Sequence, residues 1–431
     1  MNTKRAAGHK PPTAGDYLIA SKNCELVNLK YFLQMDKLVQ CISNLVHALQ
    51  CERGASNVFL GSAGGKFTRE RQAMVAASDR LCGEFDQALA EIHRELTAHP
   101  VSSRLLNQLA TALHGLEGLP ELRRCVAARK VTAASATEDY SCLVHNLIAV
   151  VFEAADTAVD PTIAGLLVAM VHLMNGKELC GQERAVGSAG FSSGQFDRAL
   201  CQRMAHLNEA QERCFEVFIS FADEDSLALW QALRGHGREA EIEKLRQLGT
   251  SVGRYKPLDP SLADRWFGLM SERMDELKKV EDSVEGCFHA RCIERFADAR
   301  NSLAHQETLI ASLGAREPLS QPMLVLCDSG NENRAVETWA SDGAGEQFGR
   351  SIFDLVQEQA LRLQQMTDEL QSAREALEDR KTQEKAVLLL MGHRRISNDE
   401  AHRALRKLAM DQGRKLPEVA RALVSMADVL K

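Results

Sequence analysis

The chain is poor in the residues from which sheets and catalytic pockets are built. Of its 431 residues only 5% are aromatic, and there are ten prolines. That scarcity argues against a sandwich or barrel, whose strands draw on aromatic and β-branched side chains. The twelve cysteines are scattered, with no Cys-x-x-Cys pair and no His/Cys grouping at zinc spacing, so neither a disulfide framework nor a metal site is expected. No Walker A loop, Gly-x-Ser-x-Gly, His-Glu-x-x-His or kinase signature occurs, and an enzyme is not expected. The opening "MNTKRAAGHKPPTAGD" has no apolar core, so residues 1–15 are expected to be a disordered start rather than a leader. The longest uncharged run, "PTIAGLLVAMVHLMNG" from Pro161 to Gly176, falls short of the ~20 residues that span a bilayer. A buried helix is expected there, in a cytoplasmic chain with no membrane partner.

What is abundant is Ala, Leu, Glu, Gln and Arg, an all-α composition. The length asks for two or three domains. Helical periodicity runs from Asp16 to Asp282, with breaks expected at Gly61–Lys66, Pro100, Gly115–Pro120, Asp160–Pro161, Gly187–Gly194, Gly235–Gly237 and Pro257–Pro260. About eight long helices result, enough for two four-helix bundles side by side. Residues 223–260 read as a looser, extended connection. Another helical segment is expected from Glu281 to about Arg316, separate from the one before it. Residues 314–349 hold prolines, glycines and one β-like run, "MLVLC", and resist assignment. From Ser351, the residues Ile352, Val356, Gln359, Leu363, Met366, Leu370, Ala373 and Leu377 step by four and three, a coiled-coil seam that predicts a homodimer. A single amphipathic helix packed on the body is the alternative.

Charge is unevenly spread. The net charge is −7, but residues 380–431 carry twelve basic against six acidic residues, or +6, which leaves −13 for the body. Three short helices are expected in this basic tail, the second capped by Ser397 with Glu400 completing a capping box. Lys381, Lys385, Arg394, Arg395, Arg403, Arg406, Lys407, Arg414 and Lys415 are its candidate nucleic-acid contacts. A solvated charged face is the plainer alternative.

One local anomaly stands out. Leu38, Ile42, Leu45 and Leu49 form a helical stripe whose next places are Arg53, Ser56 and Leu60, so a guanidinium points where a leucine is due. The same happens in "KELCGQER" (177–184), where Met170, Leu173 and Cys180 lead to Arg184. Each Glu-Arg pair is followed by a Gly-x-Phe break and a new helix, which suggests a duplicated unit bringing two arginines to one buried place. The plainer reading pairs each arginine with a carboxylate, Glu52 for Arg53 and Glu183 or Glu178 for Arg184. Glu52 and Glu183 lie off the stripe and are expected to orient or cap rather than bind an anion.

The tail resembles the ANTAR domain, an RNA-binding module, through Arg380, Ala386, Leu390-Met391, Ser397, Glu400-Ala401, Leu405-Arg406, Ala409, Leu416 and Glu418-Val419-Ala420. The front 280 residues resemble the NIT domain, a nitrate- and nitrite-sensing module. The carriers are Glu52-Arg53-Gly54 with Ser56; Lys177-Glu178, Gly181 and Glu183-Arg184-Ala185; and Ala263, Trp266-Phe267, Arg273-Met274-Asp275 and Leu277. These resemblances imply domains at 16–282 (sensor), 283–375 (linker with coiled coil) and 376–431 (RNA-binding tail). They also imply one nitrate or nitrite between two bundles, with Arg53, Arg273 and Arg184 as ligand-binding candidates and no cofactor. Nitrate is a planar anion that a guanidinium fork matches edge to edge. Leader-mRNA hairpins are the implied partner, and antitermination for nitrate assimilation the implied function. Two alternatives stay open: an RNA-binding antiterminator that senses another anion or partner, and a purely structural helical interaction protein.

Overall fold

In the computed structural model the described residues are 12–98, 103–235, 237–253, 256–314, 370, 375, 377–393, 396 and 398–429. Among them there is no strand. The chain divides into two compact units, residues 1–30 with 293–369 and residues 31–292 with 370–431. In the first, the described residues are the outer ends of α1 (Ala14–Gly61) and α9 (Leu262–Gly314). Apart from the cap at the start of α1, the contacts that follow lie in the second.

Local chemistry fixes many helix ends. At the start of α1 the Thr13 amide donates to Asp16 Oδ2 (2.7 Å) and the Asp16 amide to Thr13 Oγ1 (3.3 Å), a reciprocal cap that starts the helix slightly ahead of the expected disorder boundary. Thr132 caps α4 (Ala133–Asp156) by accepting from the Ser135 amide. Asp160 caps α5 (Pro161–Ser193) from the position before Pro161, accepting from the amides of Thr162 and Ile163. Asp197 does the same for α6 (Arg198–Phe221). Gly194 ends α5 at φ +70°, a left-handed turn that suits glycine.

Side-chain contacts assign the helices to two groups. In the first, α1 meets α2 (Thr68–Ala98), α3 (Ser103–Ala127) and α4 through Ser78, Arg123 and Tyr140, all on Glu52. In the second, α5 meets α6 through Gln211, α8 (Gly237–Gln247) through Arg246, and α9 through Trp266. α5 is buried nearly all round and is the core helix of the molecule. It is long and apolar enough to cross a membrane, yet 89% of its apolar window is buried inside the protein.

Several expected breaks are not breaks. α3 runs through Gly115 and Pro120, and α5 runs through Gly187 and Gly190. These glycines mark close helix packing instead. A Cβ on Gly115 would lie 2.9 Å from Leu143, and one on Gly187 or Gly190 would overlap the Trp266 or Phe196 ring. Burial of Leu119 and Val126 holds α3 together across the bond that proline forfeits. Residues 223–260 are not an extended connection: α7 (Glu224–Gly235), α8 and a π-turn at Leu248–Val252 occupy most of them. Likewise α9 is one helix of 53 residues, not two. Val280, Val284, Phe288 and Cys292 carry its buried stripe straight through the expected junction.

In the tail, α10 (residues 377–393), α11 (Asn398–Gln412) and α12 (Leu416–Val429) enclose a small core of Ala386, Val387, Leu390, Ala401, Leu405, Ala409, Val419 and Ala420. Of the proposed seam, Leu370 and Leu377 are buried. The other seam positions, the 315–349 stretch and the Ser397 cap lie outside the described residues.

Candidate functional site

Arg53 and Arg184 are turned inward, 2% and 4% exposed. Each lies against the glycine of the other's motif. A Cβ on Gly181 would overlap Arg53 Nη2, and a Cβ on Gly54 would overlap Arg184 Nη2. The seating is reciprocal, because α1 and α5 each present an arginine and a neighbouring flat spot to the other. Neither arginine takes its neighbouring glutamate. Glu52 is held by Arg123, with Nε to Oε1 at 2.7 Å and Nη2 to Oε2 at 2.8 Å, and by Tyr140 at 2.6 Å. Glu183 is held the same way by Arg246, at 2.5 and 2.8 Å, and by Gln211 at 2.8 Å. Two forks from other helices therefore neutralise the Glu-Arg glutamates and leave the inward arginines to other partners. Arg123 and Arg246 carry no motif of their own, and only the packing of α3 and α8 reveals them.

Arg53 donates through Nη1 to Ser141 Oγ (2.6 Å) and to Glu178 Oε1, while its Nη2 is buried with no hydrogen-bond partner. Arg184 donates to Ser271 Oγ (2.9 Å) and the Gln50 carbonyl (2.9 Å) and stacks on Phe267. It meets no carboxylate at hydrogen-bond distance among these contacts, so the plainer alternative, a Glu183 or Glu178 partner, does not hold for it. Burial first, and the charge of Arg53 among the neighbours, bring its pKa down to about 10. Such a shift is the signature of a cation lacking compensation. Arg273, fully buried, keeps different company: Gln211 Oε1 at 3.0 Å from Nη1, Glu239 at 3.0 Å from Nε, and the Phe215 ring. Its Nη2 also has no partner. The structure thus brings Arg53 and Arg184 together and seats Arg273 among α6 and α8 side chains.

The field around this place is positive. Nearby, His47, Cys51 and Asp275 gather donor atoms within 4.8 Å of one another, a set that resembles a metal site. Burial, then Lys177, Lys278 and Arg184, push the His47 pKa down to about 3. Burial, the larger cause, disfavours charge on the ring, and the three cations add to that. Lys177 is compensated separately, 2.6 Å from Glu281 with both side chains fully buried.

The tail rests on the same body. Arg380 Nη2 donates to Asn175 Oδ1 of α5 at 2.7 Å. Lys381 lies 3.9 Å from Asp156 and near the Phe152 ring. On α11, Arg403 donates to Gln202 (2.8 Å), Arg406 pairs with Glu209, and His402 stacks on His206 at 5.4 Å. Gln202, His206 and Glu209 step along one face of α6. Three of the candidate nucleic-acid residues, Lys381, Arg403 and Arg406, are therefore engaged by the body. Lys385, Lys407, Arg414 and Lys415 are exposed, and Arg394 and Arg395 lie outside the described residues. Asn175 and Arg380 were invisible as a contact in the sequence, 205 positions apart.

Comparisons with known proteins agree with this layout. The nitrate and nitrite sensing family matches residues 44–287, and the ANTAR domain family matches residues 371–424. The chain is 33% identical to the nitrate regulatory protein of Klebsiella oxytoca over 421 residues, 97% of this chain and 96% of that one. A solved structure of the NasR transcription antiterminator superposes with a TM-score of 0.60 at 31% identity, covering 97% of this chain and all of the other.

Proposed function

The chain belongs to the nitrate and nitrite sensing family, and from that premise we propose that it is a nitrate-responsive transcription antitermination regulator. Nitrate or nitrite is the signal, read by Arg53 and Arg184, with Arg273 contributing from α9. The ANTAR tail is the RNA-binding effector, with leader-mRNA hairpins as partner. Antitermination follows when the tail is free to hold the RNA ahead of a terminator. The chain performs no catalysis in this reading and works in the cytoplasm, as a homodimer through the 351–378 seam. Sedimentation of the full chain checks that last point, and a monomer sinks it.

One observation carries the reading. A single helix, α5, presents Asn175 to Arg380 of the tail and, within the next three turns, Glu178, Gly181 and Arg184 to the anion site. Any repacking of α5 against α1 on anion binding also moves the tail's acceptor. An anion shifts that equilibrium only by its differential affinity for the two packings, about 1–3 kcal/mol in comparable systems. The charge asymmetry between body and tail favours the docked arrangement.

The test is a calorimetric titration of the full chain with nitrate, nitrite, chloride and sulfate. Nitrate, and more weakly nitrite, is expected to bind, and Arg53→Lys to lose most of that binding because a point charge replaces the fork. A protein with no heat from any oxyanion is not a nitrate sensor. RNA binding at fixed salt, equal with and without nitrate, removes the switch.

A further inference from the structure

Glu178 differs from the other buried glutamates near the arginines. Glu52 and Glu183 are each clamped by a fork from a third helix, Arg123 or Arg246. Glu178 receives no fork from a third helix among the described contacts. Its carboxylate occupies half of the Arg53 fork through Nη1, and the other half, Nη2, is buried without a partner beside Gly181. Two neutral amides also hold it: Gln50 Nε2 on Oε2 at 3.0 Å and Gln182 Nε2 on Oε1 at 3.0 Å. A carboxylate and nitrate present the same planar pair of oxygens to a guanidinium. Only one of them can take both arms of the Arg53 fork.

Resting on the nitrate reading above, we propose that Glu178 is a tethered competitor for the incoming anion. Its carboxylate holds the Arg53 fork and yields it to nitrate, so Glu178 sets the anion concentration at which the sensor responds. The two glutamines make the exchange feasible. When Arg53 turns to the ligand, the displaced carboxylate keeps two donors and is not stranded in the core. Charge counting adds selectivity. Arg53, Arg184 and Glu178 sum to +1, which one monovalent anion neutralises, whereas sulfate overshoots. Because Glu178 stands three residues from Asn175 on α5, about 4.5 Å along the axis, its release acts next to the tail's docking point.

The experiment measures half-saturating nitrate for the full chain by calorimetry, alongside the melting temperature with and without nitrate. Glu178→Gln removes the competing charge and nearly preserves shape. It is expected to lower half-saturating nitrate at least tenfold, to melt lower without nitrate because Arg53 loses its counter-charge, and to regain more on nitrate addition than the parent. Glu178→Asp keeps the charge but withdraws it from Arg53, with a smaller fall in the same direction, and it decides the matter if the glutamine variant does not fold. Unchanged or weaker nitrate binding in a folded variant overturns the proposal, since Glu178 would then position Arg53 rather than compete for it. A parent chain indifferent to nitrate instead removes the sensor reading itself, which separates the two failures.

Discussion

The docked tail offers the sharpest quantitative prediction, because its contacts differ greatly in worth. Arg406–Glu209 is an ion pair whose glutamate is 58% exposed. Exposed pairs contribute about 0.2–1 kcal/mol. Arg380–Asn175 is a 2.7 Å charge-assisted bond to an acceptor that is 6% exposed, a class worth about 1.5–3 kcal/mol. Asn175→Leu keeps the branched outline of the side chain and deletes the acceptor, along with the amide's bond to the Val171 carbonyl. Arg380 retains Glu384 on α10, which survives release of the tail and so does not oppose it, and a 3.9 Å contact with Cys214 Sγ of α6, a weak acceptor. Docking should weaken by roughly 10- to 150-fold in Asn175→Leu and by about 1.5- to 5-fold in Glu209→Gln. The assay is fluorescence anisotropy of the full chain, without nitrate, on a labelled pool of RNA hairpins with randomised loops at fixed salt. Asn175→Leu should bind RNA constitutively, and Glu209→Gln should stay mostly nitrate-dependent. If the Glu209 variant binds better, or both behave like the parent, the polar bond to α5 is not what restrains the tail.

Acid should destabilise the fold through two imidazoles, the buried His172 and the partly buried His47. Burial, with Arg380 for His172 and with Lys177, Lys278 and Arg184 for His47, lowers each pKa from 6.5 to about 3. Between those values the unfolded chain binds more protons than the folded one, so stability is full above pH 6.5 and falls as pH drops towards 3. Each histidine then costs about 2 kcal/mol between pH 7 and 5. Neither His172 nitrogen has a partner, so His172→Leu should raise the melting temperature and flatten its decline over that range; an unaltered slope removes His172 as a source. Gly181→Ala forces Arg53 aside and approaches Met274 Cε at 3.1 Å. It should cost about 1–3 kcal/mol by overpacking and abolish nitrate binding, and a variant that binds nitrate normally places the anion elsewhere.

The sequence by itself determined the all-helical class, the two stretches where a helical stripe ends on a Glu-Arg pair, and the identity of the inward arginines. All three rest on periodicity, which is a local property. A guanidinium at Arg53 on the Leu38–Leu49 stripe has to face inward whatever packs there, and 2% exposure is the outcome. The breaks at Asp160–Pro161 and Gly194 were legible from residue type in the same local way. Partners were not. Adjacent residues on a helix point about 100° apart, so Glu52 could not serve Arg53, and which carboxylate does depends on the helix brought alongside. Packing supplied Glu178 from α5 to Arg53, Arg123 from α3 to Glu52 and Arg246 from α8 to Glu183. The glycines expected to break α3 and α5 carry the same lesson. A missing Cβ permits a turn or a close helix contact equally, and only the Leu143, Trp266 and Phe196 side chains packed against Gly115, Gly187 and Gly190 decided for contact. The tail's basic residues were visible as charge. That Arg380 reaches Asn175, and Arg406 reaches Glu209, is a matter of two surfaces meeting, which only the tertiary structure decides.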